Sequence, residues 1–342
     1  MSYNILLRLT EGGAAASFEI SMGRTILETV LAAGIDYPHG CRAGNCGACK
    51  SHLISGQVEM SPYSEFALSE EEKARGLILA CRAVAWSDCE IQPVAAEDAA
   101  IHASRRLQCR VAEIEAATHD IRIVRLEMVS GGPFDYTAGQ YSELTFAGLP
   151  ARDFSMASAP GDGYLEFHIR HVAGGAATSH VMENLAVGDP VGLRGPIGTG
   201  HYRAGHAGPM LLLAGGSGLA PIKAITEAAL AAGARQDIFV YFGARAERDV
   251  YLESYFRDLA ARHRNLNFTV VLSEPGAATE RRTGFLADAV GADFTGLDGF
   301  KAYLAGPPVM VESCTEALDK MGLARPDCHA DAFYTEAEKS NR

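Results

Sequence analysis

The sequence lacks any apolar run long enough to cross a membrane as a helix. Its longest apolar runs, such as residues 210–214, fall far short of the roughly 18 residues that such a helix requires. The first residues lead directly into a strand-like segment, without a basic and then an apolar stretch, so we expect no secretory signal. Basic residues are scarce, since 30 Lys and Arg stand against 42 Asp and Glu, which argues against nucleic acid as a partner. We expect a soluble, cytoplasmic monomer that does not bind membranes.

Internal repeats and low-complexity segments are also missing, so globular domains must account for the 342 residues. At roughly 100 to 200 residues per domain, the chain should hold two or three. About half of the net charge of −12 lies in residues 1–100, which carry thirteen acidic and seven basic residues. This excess indicates either a solvated surface or a docking face that steers a partner by charge.

Cysteine is distributed unevenly, and four of the eight cysteines have a spacing that indicates a cofactor. Cys41, Cys46 and Cys49 are separated by four and then two residues, and Cys81 follows after thirty-one more. This is the plant-type spacing for a 2Fe-2S cluster, in which small residues let the loop approach the sulfur atoms closely. A zinc site would favour two knuckles of paired cysteines, of which only one is present, and disulfides are the third alternative. The remaining cysteines are expected to be small core residues: Cys89, Cys109, Cys314 and Cys328.

Hydrophobic periodicity divides the chain into three patterns. In the first, strands flank two short helices capped at Thr25 and Ser69, which fits a β-grasp domain of ferredoxin type. The second has period two and predicts a small antiparallel barrel. The third alternates apolar strands with helices and predicts a doubly wound parallel sheet of nucleotide-binding type. The fold class is therefore multidomain, with α+β, β and α/β parts. The predicted boundaries are 1–95 for the first domain, 96–106 for a linker, 107–206 for the barrel, 207–335 for the parallel sheet and 336–342 for a disordered tail.

Two motifs in the predicted barrel carry the groups that a pyrophosphate requires. The arginine of Arg152-Asp153-Phe154-Ser155 can donate in a bidentate manner. Gly174-Gly175-Ala176-Ala177-Thr178 opens a helix, and a helix N-terminus favours an anion. Out of context, the favoured interpretation of these strings is an ordinary hairpin and an ordinary capped helix.

A third motif lies in the predicted parallel sheet. Leu213-Ala214-Gly215-Gly216-Ser217-Gly218-Leu219-Ala220-Pro221 closes a strand and opens a helix, and its glycines permit a tight turn close to a dinucleotide phosphate. Gly306-Pro307-Pro308-Val309-Met310 follows the last strand recognised in the sequence, at the carboxyl edge where the ligands of such sheets bind.

The order of these motifs resembles that of the ferredoxin–NAD(P)+ reductase superfamily with an N-terminal plant-type 2Fe-2S domain. Within it, the chain is most similar to the reductase components of naphthalene dioxygenase-type aromatic ring-hydroxylating systems. The resemblance runs essentially end to end, and it rests on the cysteine loop, Gly139-Gln140-Tyr141, Arg152-x-Phe154-Ser155, Gly175-x-x-Thr178, the glycine turn and Gly306-Pro307-Pro308-x-Met310.

The resemblance implies a role for each motif. It implies FAD contacts from Arg152, Asp153, Phe154, Ser155, His168, Ile169, Arg170, Gly174, Gly175, Ala176 and Thr178. It implies nicotinamide dinucleotide contacts from Gly215, Gly216, Gly218, Ala220, Pro221, Gly243, Arg245, Gly306, Pro307, Pro308 and Met310. The implied catalytic residues are Ser155 near the reactive flavin nitrogen, Phe154 beside the flavin, and Phe333 and Tyr334 over the flavin face. The alternative for the last two is that they pin the final strand to the core.

Two departures from the family pattern affect the expected chemistry. Phe154 stands where the family usually has Tyr, and Ala305 stands where it usually has Cys beside the nicotinamide. The resemblance therefore predicts that hydride transfer is slower or differently tuned in this chain.

The expected activity is electron transfer from NADH to FAD, then to the 2Fe-2S cluster, then to a ferredoxin or a terminal oxygenase. A flavin is needed because a nicotinamide gives up two electrons at once whereas the cluster accepts one. NADH is expected to be preferred and NADPH tolerated, because Glu247 and Asp249 oppose a phosphate that Arg245 and Arg248 could attract. The alternatives are the reductase of a soluble di-iron monooxygenase and a non-catalytic ferredoxin-like electron carrier or cluster-assembly protein.

Overall fold

The structure is a computed structural model that describes residues 2–8, 15–35, 37–65, 67–94, 102–276, 279–335 and 338. It divides into two compact units, one of residues 1–99 with 334–342 and the other of residues 100–333. Within the described ranges, no helix has the length and apolar content needed to span a membrane. Most of the predicted linker, up to residue 101, and all of the predicted tail except Glu338 lie outside the described residues.

The first unit is a mixed sheet with two short helices. Its elements are β1 Ser2–Arg8, β2 Ala15–Ser21, α1 Ile26–Ala32, β3 Lys50–Ser55, β4 Val58–Met60, α2 Glu70–Ala74, β5 Leu77–Leu79, β6 Ala83–Ala85 and β7 Cys89–Pro93. Five strands form a sheet in the order β2-β1-β7-β3-β5, and β4 pairs with β6. Thr25 and Ser69 each form the predicted capping box, in which the hydroxyl accepts from the backbone N–H of Glu28 or Glu72 and that glutamate accepts from the cap. The cysteine loop lies between α1 and β3, and Cys81 lies between β5 and β6.

The second unit begins with an antiparallel barrel. Its elements are β8 Arg105–Ala116, β9 Ile121–Ser130, β10 Tyr141–Phe146, β11 Arg152–Ser155, β12 Leu165–Arg170, α3 Ala176–Glu183 and β13 Pro190–Ile197. The strand order is β11-β10-β13-β8-β9-β12, and a bridge between Met156 and Phe167 nearly closes the sheet. Arg105 and Arg106, assigned to the linker from the sequence, already belong to β8, because they pair with β13 and extend the alternation that buries Leu107.

The parallel sheet completes the second unit. Its elements are β14 Met210–Gly215, α4 Leu219–Ala231, β15 Ile238–Ala244, α5 Glu253–Arg262, β16 Leu266–Leu272, β17 Arg282–Thr283, α6 Leu286–Asp293, β18 Lys301–Gly306, α7 Pro308–Lys320 and β19 Cys328–Ala332. The order is β17-β16-β15-β14-β18-β19, and every described pair in this sheet is parallel. The chain reverses its direction of progress between β14 and β18, so the loops after these two strands flank the switch point where such sheets bind ligands.

The predicted fold class is confirmed in all three parts, although β17 and β19 were not foreseen. The strands β14 and β18 are buried along their whole length, which explains their nearly continuous apolar sequences. All eight cysteines are free thiols. Among the four outside the cysteine loop motif, Cys89, Cys109 and Cys314 are buried as predicted, and Cys328 is half-buried.

Candidate functional site

Four cysteines converge in the first unit. The backbone N–H groups of Ala43 and Asn45 point at the Cys41 sulfur, with nitrogen-to-sulfur distances of 3.4 and 3.3 Å. The Cys41 N–H donates to the Cys46 sulfur at 3.3 Å, and the Cys81 N–H lies 3.5 Å from the Cys49 sulfur. These donors would stabilise negative charge on the sulfur atoms, as ligation of a metal cluster by thiolates requires.

The thiols also perturb one another, which shows how closely they are grouped. A hydrogen bond with Cys46 lowers the pKa of Cys41 to about 6, and the same bond together with burial raises the pKa of Cys46. A hydrogen bond with Cys49 and burial raise the pKa of Cys81, which also feels the charges of the other three thiols. The four sulfur atoms therefore form one set, and this donor set fits a four-thiolate iron–sulfur cluster.

Small residues make this convergence possible. A Cβ atom on Gly40 would lie 3.0 Å from the Cys46 sulfur, and one on Gly44 would lie 2.8 Å from Cγ of Arg82. Gly44 also has a φ of +76°, a conformation that a side chain would strain. The sequence argument that glycines bring the loop close to the cluster is consistent with this geometry.

On the barrel, β11 carries the Arg152–Ser155 motif. The Ser155 hydroxyl is almost fully buried and donates to Oδ2 of Asp331 on β19 at 3.2 Å. The Phe154 ring packs edge-on against Phe146, with ring centres 6.3 Å apart. Arg152 is half-buried and donates to the backbone carbonyl of Ala151.

The glycine-rich segment after β12 leads into α3, as predicted. Gly174 has a φ of +76°, and Gly175 is the N-cap of α3 and has no side chain to occupy the first N–H groups. The Thr178 hydroxyl accepts from the Val172 N–H at 3.1 Å and would clash with a Cβ atom on Gly175. The start of α3 is thus a rigid turn whose N–H groups can receive a phosphate.

The glycine turn of the parallel sheet is shaped by very close backbone contacts. A Cβ atom on Gly218 would overlap the Ala305 carbonyl and lie 2.8 Å from the Gly306 nitrogen. A Cβ atom on Gly215 would lie 2.5 Å from the Met310 sulfur and 2.9 Å from Pro307. The two motifs predicted separately, after β14 and after β18, therefore meet at adjacent strand ends. Ala220 and Pro221 are buried at the start of α4, and Pro308 begins α7.

A cluster of charges lies at the end of β15. The Arg245 guanidinium is half exposed and lies 3.8 Å from Oδ2 of Asp120 and 3.9 Å from Oδ1 of Asp249. Asp120 also accepts from Nε of Arg170 at 2.8 Å. Arg170 in turn reaches the glycine turn, because a Cβ atom on Gly216 would lie 2.9 Å from its Nη1. A Cβ atom on Gly243 would lie 3.1 Å from two carbon atoms of Leu286, so the Leu286 side chain would have to shift by a few tenths of an ångström.

The two C-terminal aromatic residues fall in different units. Phe333 is half-buried in the second unit, where its N–H donates to the Gly306 carbonyl at 2.9 Å. Tyr334 belongs to the first unit, is buried, and accepts a hydrogen bond from the Asn45 side chain in the cysteine loop. That either aromatic ring covers the flavin stays a prediction.

Three family models match consecutive parts of the chain. A 2Fe-2S iron-sulfur cluster binding domain matches residues 9–85, which include all four converging cysteines. An oxidoreductase FAD-binding domain matches residues 108–202, and an oxidoreductase NAD-binding domain matches residues 212–316. The predicted cofactors, a 2Fe-2S cluster, FAD and a nicotinamide dinucleotide, are confirmed by these matches.

Individual relatives match over nearly their whole length. The ferredoxin–NAD(P)+ reductase component of the naphthalene 1,2-dioxygenase and salicylate 5-hydroxylase systems of a Ralstonia species is 37% identical, over 91% of this chain and 94% of its own. The reductase component of the Pseudomonas putida naphthalene 1,2-dioxygenase system is 36% identical, over 92% and 94%. The chain belongs to the ferredoxin–NAD(P)+ reductase family. A solved structure agrees: the Amycolatopsis cytochrome P450 reductase GcoB has a TM-score of 0.76 and 34% identity to this reductase, covering 97% of this chain and 98% of its own.

Sequence reasoning missed several residues of the reductase that the fold brings to these sites. Asp331 was not assigned a role, and its bond to Ser155 joins residues 176 positions apart. Glu166, Lys223 and Tyr251 were not singled out at all. One signal was available for Lys223, because it is the only charged residue in the first six positions of α4.

Proposed function

We propose that the reductase oxidises NADH and delivers single electrons to a ferredoxin or an oxygenase of an aromatic ring-hydroxylating dioxygenase system. The observation that carries this proposal is the end-to-end match, in one order of cysteine loop, flavin barrel and glycine turn, to two reductase components of naphthalene dioxygenase systems. When bound, FAD supplies the conversion between a hydride and single electrons.

Each site has residues suited to its cofactor. Cys41, Cys46, Cys49 and Cys81 are the proposed cluster ligands, supported by their shared hydrogen bonds. Arg152 and the N-terminus of α3 are proposed to bind the FAD pyrophosphate. The turn at Gly215–Gly218 is proposed to receive the nicotinamide dinucleotide, because its glycines let the start of α4 lie close against the end of β18 at the switch point, where such sheets bind a phosphate.

Ser155 and Asp331 have a defined part in this arrangement. The carboxylate of Asp331 holds the Ser155 hydroxyl in one direction, since the two atoms are 3.2 Å apart in a nearly buried setting. We propose that this orientation places the hydroxyl toward the reactive edge of the flavin. Phe154 packs against the barrel core and lacks the hydroxyl of the Tyr that the family usually has at this position.

The acceptor test separates the proposed function from its alternatives. The purified reductase is expected to reduce ferricyanide and cytochrome c rapidly with NADH, which a non-catalytic carrier would not do. It is then mixed with the ferredoxin and oxygenase of an aromatic dioxygenase, and separately with the hydroxylase of a di-iron monooxygenase. Coupled product formation with the dioxygenase components supports the proposal, whereas turnover only with the di-iron hydroxylase would assign the reductase to that system.

The charges at the end of β15 lead to a prediction about coenzyme choice. Arg245 is shared between two carboxylates, and Glu247 is held by Arg281 at 2.7 Å, so the region offers no strong net attraction to a 2′-phosphate. We expect NADH to be preferred. Glu247→Gln should narrow the NADH to NADPH ratio of kcat/KM by roughly two- to fivefold, the size expected of an exposed charge, about 0.5–1 kcal/mol.

The matched control for this prediction is Glu316→Gln on the exposed face of α7, which removes the same charge elsewhere in the domain. An equal change of the NADH to NADPH ratio of kcat/KM in both variants would mean that the net charge of the protein, and not the position of Glu247, sets this ratio. A higher kcat/KM with NADPH in the unmodified reductase would contradict the expected preference.

A further inference from the structure

A buried charged network joins the flavin barrel to the parallel sheet. Glu166 and His168 lie on β12, and Lys223 lies on α4; their side chains are 3%, 0% and 8% exposed. The Lys223 ammonium is 3.2 Å from Oε1 of Glu166 and 3.1 Å from Oε1 of Glu227. Nε2 of His168 is 3.2 Å from the same Glu166 oxygen, and Arg125 donates to the other oxygen at 2.8 Å. Four charged groups and a histidine thus connect barrel strands β9 and β12 to helix α4 of the parallel-sheet domain.

One end of this network touches the segment that follows the flavin motif. The Lys223 ammonium donates to the backbone carbonyl of Ala157 at 3.1 Å, only two residues beyond Ser155. The Ala157 N–H donates to the Glu166 carbonyl at 2.7 Å. The backbone N–H and carbonyl of Ala157 are therefore both hydrogen-bonded to residues of the network. The Lys223 side chain of α4 therefore fixes the segment that directly follows β11.

The other end touches the glycine turn. Burial lowers the pKa of His168, whose Nε2 lies 3.2 Å from Oε1 of Glu166 and whose Nδ1 lies 3.0 Å from the Tyr251 hydroxyl. That hydroxyl is also 3.4 Å from the Gly216 carbonyl. The rings of His168 and Tyr251 meet edge to face, with centres 5.4 Å apart. A continuous chain of contacts therefore runs from Ala157 to Gly216.

The pKa shifts of Glu166 and Lys223 favour their charged forms, whereas burial raises the pKa of Glu227. Burial alone would raise the pKa of Glu166, but the hydrogen bond from His168 and the charge of Lys223 outweigh it and lower that pKa. Burial alone would lower the pKa of Lys223, but the charges of Glu166 and Glu227 raise it. Buried ion pairs contribute little net stability because desolvation opposes the attraction, although their strict geometry can define one arrangement of the elements they join.

We propose that Glu166, His168 and Lys223 are positioning residues that hold the end of the flavin-binding strand at a set distance from the glycine turn. The inference rests on the proposed NADH oxidation. Because transfer of a hydride depends steeply on the separation and alignment of the reacting atoms, loss of this link should slow flavin reduction at saturating NADH more than it weakens NADH binding.

The test compares three variants with the unmodified reductase. Lys223→Met keeps the length of the side chain and removes its charge and donors. The triple variant Glu166→Gln, Lys223→Met and Glu227→Gln removes the ammonium together with both carboxylates that contact it, and Arg125 keeps its ion pair with Glu113. Thr226→Val is the matched control, since Thr226 is equally buried on α4 but donates only to the Ile222 carbonyl within the helix.

The measurements are flavin content, thermal unfolding, and the rate of flavin reduction by NADH under anaerobic conditions, expressed per bound flavin over a range of NADH concentrations. The absorption change of the bound flavin on adding NAD+ gives a readout that does not depend on turnover. Lys223→Met is expected to lower the limiting reduction rate at least tenfold, to change the NADH Kd less than threefold and to diminish the NAD+ difference spectrum. The triple variant is expected to recover thermal stability while its limiting rate stays low.

Other outcomes overturn the inference. If the rate and the stability of the triple variant recover together, the network is structural and does not position the reacting groups. If Thr226→Val slows reduction as much as Lys223→Met, the effect belongs to any disturbance of α4. A flavin in the unmodified reductase that NADH does not reduce would instead refute the proposed function itself.

Discussion

Replacing Cys81 by alanine is expected to abolish NADH-dependent reduction of cytochrome c while leaving reduction of the flavin by NADH intact. Cys81 is the only one of the four converging cysteines outside the loop, and its N–H lies 3.5 Å from the Cys49 sulfur. Removing one of four ligands should empty the cluster site. Loss of contacts outside the ligand shell alone lowers metal affinity or activity 10- to 100-fold, so we expect the rate of cytochrome c reduction to fall by more than about a hundredfold. Visible absorption and electron paramagnetic resonance of the cluster measure the loss directly.

Cys89→Ala is the matched control for Cys81→Ala. Cys89 lies in the same unit and is buried, but its thiol bonds to the backbone carbonyls of Gln57 and Ser87 at 3.4 and 3.2 Å. The control should keep both the cluster signals and cytochrome c reduction. A Cys89→Ala variant without cluster signals would show that the assignment of the four ligands is wrong.

A second large effect is expected from Gly218→Ala. The added Cβ atom would overlap the Ala305 carbonyl and lie 2.8 Å from the Gly306 nitrogen, and all of these atoms belong to backbone at the switch point of the sheet. The glycine turn must therefore move away from β18. A displacement of about 1 Å can cost on the order of a hundredfold in rate, so kcat/KM for NADH should fall by that amount or more. Flavin content should stay unchanged because the barrel does not contain this residue.

Gly291→Ala controls for the general effect of adding a methyl group to the same domain. Gly291 lies in α6, and a Cβ atom there would meet no atom within 4 Å. Alanine at this position should stabilise the helix by about 0.5–1 kcal/mol and leave kcat/KM unaltered. If Gly218→Ala retains normal NADH kinetics, the turn does not receive the coenzyme in the way we propose.

Interactions between residues that are close in the sequence explain why much of the fold could be predicted. The capping boxes at Thr25 and Ser69 involve residues three apart, so their chemistry is complete within the string. The strands β14 and β18 are buried on both faces and therefore read as apolar runs bounded by glycine. In contrast, β19 has the mixed sequence Cys328–Ala332 and is only partly buried, and its place beside β18 depends on a partner far away in the chain.

The glycine turn and Asp120 show the same contrast, within the sites, between what a local pattern predicts and what depends on distant residues. The close approach of Gly218 to Ala305 explains why glycine is required there, and the strand–turn–helix context was visible in the sequence. The role of Asp120 was not visible, because an acidic residue between β8 and β9 gives no sign that it will face Arg170 and Arg245.

The sequence by itself determined the cluster motif, the glycine turn and the order of the three domains, because cysteine spacing, turns and hydrophobic period are properties of neighbouring residues, and FAD was implied by the resemblance to the reductase family. The tertiary structure alone decided which side chains support those motifs. Ser155 meets Asp331, Ala157 meets Lys223, and Tyr334 meets Asn45 only after strands and helices from distant parts of the chain have packed together. Such pairs are chosen by the shape of the assembled core and by the need to satisfy buried polar groups, and no local pattern encodes that choice.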